Sequence, residues 1–234
     1  MNTAALNSSE ALPAPNGLLA RLLNVLVTPS EIFEEVSTSP FRVLNWLVPM
    51  AMVCITGLAL LGVMTTKEQT AATVGQWLDA GSITAAQGDL IKSHWVEVSR
   101  FATCVGTIAG TFWSAFVLWF IGRVILKTCV PFWKALEVVG LTSVIIALGN
   151  VVTALLVGAM AEPSARPALS LLALKLEPDN PIRMLFGTVD LFHLWATGTL
   201  AIGLAKLSGV SFKESAFWVF GYWFVAKVTL IILG

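Results

Sequence analysis

Five apolar runs, each long enough to cross a bilayer as a helix, constrain this chain more than any other feature. They cover Leu44 to Met64, Phe101 to Leu126, Leu136 to Met160, Leu185 to Leu207 and Ala216 to Leu233. About 20 residues rising ~1.5 Å each cross the ~30 Å of hydrocarbon. Only 12% of the 234 residues are charged, 56% are hydrophobic, and the mean hydropathy is +0.82. A soluble domain carries about a quarter charged residues, so this chain needs a solvent that tolerates apolar surface. The predicted fold is therefore all-α: a polytopic membrane helix bundle of five transmembrane helices, with an extramembrane helical hairpin, residues 65–100, between spans one and two. Residues 1–17, rich in Ala, Asn, Ser and Pro, read as a disordered tail before a membrane domain over 18–234.

The segments between the runs carry their own signals. Leu18 to Val27 is apolar apart from Arg21 and Asn24 and too short to span, which suits an amphipathic helix in the interface. Thr28-Pro29-Ser30-Glu31 has the spacing of a capping box opening a short helix, Ile32 to Val36. Glu68 to Asp79 reads as a helix stopped by Gly81. Thr84 with Gln87 opens a second helix through Val96, able to run straight into the second span. Ala168 to Leu176, among the prolines of the last long loop, can form a short interfacial helix.

The short connections are dense in positive charge: Arg123, Lys127 and Lys134 in one, Lys206 and Lys213 in the other. The positive-inside rule places both on the cytoplasmic side, with the N-terminus inside and Gly234 outside.

Three ionisable residues interrupt the last two runs. Asp190 and His193 are three apart, and Lys227 falls at similar depth in the next run. Ionisable groups in a span are costly and face the bundle interior or a cavity. The polar reading is a site for a proton, an ion or a partner group. The plainer one is a structural Asp190–Lys227 pair or a lysine snorkelling to the interface. Gly106 and Gly110, four apart, allow close helix approach, more readily by an internal neighbour than by a second copy. Asn150 can hydrogen-bond across helices. Trp46, Trp133 and Trp218 stand near span ends as interfacial anchors.

Chemistry is hard to find. There is no GxSxG, HExxH, Walker A or dinucleotide fingerprint, and His94 has no nearby nucleophile. Cys54, Cys104 and Cys129 form no metal or disulfide pattern. With 14 basic and 14 acidic residues the net charge is zero, so nucleic acid is not an expected partner. The expectation is a non-enzyme with no catalytic, cofactor or metal residues.

Several stretches carry a resemblance. Leu22-Leu23-Asn24-Val25-Leu26-Val27-Thr28-Pro29-Ser30-Glu31-Ile32-Phe33 resembles the leader of bacterial Yip-domain proteins (the Ypt/Rab-interacting type), as does the turn Pro131-Phe132-Trp133-Lys134-Ala135-Leu136. Asp190 to Trp195, Ala201 to Val210 and Lys213 to Ala216 are similar to the family's Trp, Gly-Leu pair, Ser/Gly turn and Ala at the last helix. The resemblance implies a five-span protein of the bacterial inner (cell) membrane with a cytoplasmic N-terminus. Eukaryotic relatives bind Rab-type GTPases, for which the tail here is short. Some bacterial relatives accompany ABC-type exporters and help assemble them. The leading expectation is an accessory or scaffold protein whose partners are membrane lipid and another membrane protein, an ABC-type transporter among the candidates, or a second copy. The alternatives are a small ion or solute transporter using Asp190, His193 and Lys227, and a lipid-organising protein acting through the N-terminal amphipathic segment.

Overall fold

In a computed structural model, which describes residues 17–65, 67–160, 165–167 and 190–233, the apolar runs are helices and no strand forms among these residues. The tail over 1–16, the start of the fourth run and the expected helix at 168–176 lie outside them. The helices are α1 (Leu18–Val27), α2 (Pro29–Thr38), α3 (Leu44–Met64), α4 (Lys67–Asp79), α5 (Ala85–Phe120, prolonged by a π-helical turn, Ile121–Ile125), α6 (Phe132–Met160), α7 (Leu191–Ser208) and α8 (Phe212–Leu233).

Three of these, α3, α5 with its π turn, and α6, are long and apolar enough to cross a membrane. Helices α7 and α8 fall where the fourth and fifth spans are expected, α7 beginning at Leu191 rather than at Leu185. The continuous α5 measures about 62 Å at ~1.5 Å per residue, twice the ~30 Å of hydrocarbon. Its charges, Asp89, Lys92, Glu97 and Arg100, fall in the first half, and none follows before Arg123. The charge is thus confined to the first half, while the second half is uncharged up to Arg123 and long enough to cross a membrane, with no proline at the junction. Thr84 Oγ1 accepts from the Gln87 amide while Gln87 Oε1 accepts from Thr84 N at 2.8 Å, so the expected capping box starts this helix. Helix α4 packs back on its first turns, with Val74 buried and Trp77 against Trp95 at 5.9 Å between ring centroids. This is the expected hairpin.

The other capping box does not form. Thr28 is at once the last cap of α1 and the first of α2, and its hydroxyl donates back to Asn24 O at 3.4 Å, leaving the α2 amides uncapped by it. Helix α1 is also not a free interfacial helix. Arg21, Leu22 and Val25 are buried against α2 and α6.

Helix α6 is the centre. Every residue from Ala135 to Thr142 is buried, all round the helix, because α1, α2, α3, α5 and α7 surround this end. Lipid is as apolar as a leucine side chain, so such helices associate through close van der Waals fit rather than water exclusion. Small residues decide where that is possible. A Cβ on Gly140 would lie 2.3 Å from Trp46 Cα, and one on Gly203 2.3 Å from Val138 Cγ1. One on Gly149 would meet Phe192 at 2.9 Å. These glycines set the α3–α6 and α6–α7 contacts. The same contacts fix depth. Phe192 lies level with Gly149, and Gly57 of α3 meets both Thr103 and Asn150. Asn150 Nδ2 donates to Thr56 Oγ1 at 3.2 Å, across helices as expected.

Candidate functional site

A cleft of about 510 Å³ opens between α5, α6, α7 and α8. From α5 it takes Gly106, Thr107, Gly110, Thr111 and Ser114. From α6 it takes Val139, Thr142, Ser143 and Ile146, from α7 His193 and Thr197, and from α8 Tyr222, Trp223 and Lys227. It is an amphipathic space. Its deeper part ends on Leu118, Ile121, Val139 and Val219, and its upper part carries the two ionisable groups.

Most of its hydroxyls are already engaged. Thr107 donates to Thr103 O, Thr111 to Thr107 O and Ser143 to Gly140 O, each along its own helix. Thr142 is 2% exposed, and its Oγ1 has no hydrogen-bond partner. Trp223 Nε1 is likewise buried without one. Such unpaired groups in a dry site cost about 1–3 kcal/mol each.

The three residues singled out from the sequence separate here. Asp190 caps α7, accepting from Phe192 N at 2.8 Å and His193 N at 3.0 Å. His193 Nδ1 stands 3.2 Å from the same carboxylate. Lys227 lies 5.9 Å from the centre of the Trp223 ring. Among the described residues it forms no ion pair with Asp190, which is held at the helix end by its capping bonds. His193 and Lys227 share the cleft and Asp190 does not line it. A Cβ on Gly106 or Gly110 would meet no described atom within 4 Å, and among the described residues no helix packs on them; both line the cleft. Helices α5 and α8 do not pack along their length, and Trp113 Nε1 donating to Tyr222 Oη at 2.8 Å ties their outer edges.

A second polar group, not singled out from the sequence, lies at the opposite end of α6. Glu137 is fully buried and accepts from Arg42 N (2.9 Å), Asn45 Nδ2 (2.8 Å) and Lys134 Nζ (2.7 Å). Asn45 Oδ1 in turn accepts from Arg21 at 3.3 Å, and Arg21 pairs with Glu35. Lys134 also donates to the Val36 and Ser39 carbonyls at 2.8 and 2.7 Å. This network ties α1, α2 and the start of α3 to α6. A carboxylate three residues after a lysine, inside an otherwise uncharged run, was its available signal. Neither place gathers three His, Cys, Asp or Glu side chains, nor does any other among the described residues.

The long apolar helices, with few charged groups along them, define a helical integral membrane protein. The chain belongs to the Yip1 domain family, whose family model matches residues 23–233. No curated protein and no solved structure matched it.

Proposed function

We propose that this chain is a non-enzymatic accessory or scaffold subunit that docks another membrane protein through the hairpin of α4 and the outer half of α5. One observation carries the reading. Among the described residues α4 packs on the first turns of α5, and this hairpin presents Leu90 and Val98, 63% and 60% exposed; on the reading proposed here it stands outside the bilayer, where no lipid covers them. Exposed apolar residues rimmed by charge, here Asp89, Lys92 and Glu97, suit a protein partner. The family is not a known enzyme family, and its members interact with proteins and lipids. In this reading the chain has five spans, α3, α5, α6, α7 and α8, with the N-terminus cytoplasmic and the hairpin on the far side of a bacterial inner membrane. An ABC-type exporter is one candidate partner.

A photo-crosslinking residue at position 90 or 98, activated in native membranes, should trap one membrane protein in stoichiometric yield. Leu90→Asp and Val98→Asp should abolish the adduct in chains that still melt normally. Recovery of no enriched partner from either position would reject the reading.

The alternative, a small ion or solute transporter, rests on His193 and Lys227 sharing a cleft. It requires flux in proteoliposomes that Lys227→Met removes.

A further inference from the structure

The cleft between α5, α6, α7 and α8 lies among the long apolar helices, and its features describe an occupant. On the five-span reading proposed above, on which this inference rests, its ionisable end lies at the membrane boundary. His193 follows Phe192, which is level with Gly149, and the neighbouring Asn150 is level with Thr103. Thr103 comes three positions after Arg100, the last charge of the outer half of α5. A group held between His193 and Lys227 therefore sits where lipid headgroups sit. Among the described residues no carboxylate lies within 4 Å of Lys227 to neutralise its charge.

Below that point the cleft descends along α5 from Gly106 to Ile121, about 22 Å at ~1.5 Å per residue. That covers the ~15 Å of one hydrocarbon leaflet. The glycines remove the side chains that would block it. A protein helix does not fit as well. The Trp113–Tyr222 hydrogen bond crosses the outer edge of the cleft, and a helix ~10 Å wide would have to break it.

We propose that this cleft binds one anionic phospholipid from the hairpin-side leaflet, with the headgroup between His193 and Lys227 and an acyl chain running past Gly106 and Gly110. The site is lateral and selects by charge at its top and by shape below. It is separate from the docking face on the hairpin.

The test uses the full chain in mild detergent, with native mass spectrometry during titration by phosphatidylglycerol or phosphatidylcholine of matched acyl chains. The wild type should retain one phosphatidylglycerol with at least about fivefold preference, the size expected for one basic side chain beside an anionic lipid. Lys227→Gln should erase the preference while leaving weak binding of both. Gly110→Leu, which fills open space, should lower binding of both lipids and leave melting unchanged. Equal binding of the two lipids by the wild type, or an unaltered preference in Lys227→Gln, would overturn the proposal, as would full binding by Gly110→Leu. If Gly110→Leu fails to fold, Lys227→Gln decides alone. A co-purified protein segment in the cleft with no lipid adduct would also overturn it.

Discussion

Replacing Glu137 with alanine tests whether the polar network at the start of α6 holds the N-terminal helices to the bundle. The carboxylate is 0% exposed and takes three donors, Arg42 N, Asn45 Nδ2 and Lys134 Nζ, within 2.7–2.9 Å. Its removal leaves two neutral donors buried without an acceptor, at about 1–3 kcal/mol each. The lysine is partly compensated, since the Val36 and Ser39 carbonyls still accept from it. Breaking one side of a buried pair costs about 3–5 kcal/mol, and the partial compensation argues for the lower part of that range. Domains are stable by about 5–15 kcal/mol, so the loss is large. At ~2–4 °C per kcal/mol for a chain of this size, the melting temperature should fall by roughly 6–15 °C. Tryptophan fluorescence in detergent reads it directly, given nine tryptophans. Glu137→Gln should fall about half as far. Its carbonyl oxygen still serves Arg42 and Asn45, but its amide faces the Lys134 ammonium. A drop under ~2 °C for Glu137→Ala would refute the view that this network fastens α1 and α2.

Gly140→Ala should destabilise by about 3 kcal/mol or more, because its Cβ would fall 2.3 Å from Trp46 Cα, a backbone atom that cannot step aside. Gly110→Ala should shift melting by less than ~0.5 kcal/mol, since nothing lies near it. Asp190→Ala should cost about 1 kcal/mol through the lost cap of α7, while Asp190→Asn, a competent cap, should cost a few tenths. A double-mutant cycle of Asp190→Asn with Lys227→Met, read by thermal melting, should give a coupling below ~0.5 kcal/mol, because the two do not pair.

The sequence made the helices legible because hydrophobic length is a property of the residues alone. The hairpin was legible too: Thr84 and Gln87 satisfy each other locally, with no help from distant chain. Thr28 failed as a cap because one residue served two helix ends, and which end wins depends on how α1 packs. The glycines show the same limit. Gly106 and Gly110 have the spacing that permits close approach, and Gly140 and Gly203 have none, yet Trp46 of α3 presses on Gly140 and Val138 of α6 on Gly203. Spacing says what an approach would allow, not which helix arrives. Asp190 read as intramembrane because the apolar run continues across it, whereas its carboxylate turns back to the first amides of α7. Glu137 and Arg21 carried a signal, charges within apolar stretches. That they lie in one network followed only from the fold of α1 against α6.

The uninterrupted course of α5 makes the hairpin and the span a single lever. Arg100, the last charge before the apolar half, divides it into arms of about 24 and 37 Å at ~1.5 Å per residue. A tilt about that point would carry Ile125 about 1.5 times as far as the hairpin tip, in the opposite direction and with the force reduced in the same ratio, and the contacts of α5 with α3 and α6 would bear it.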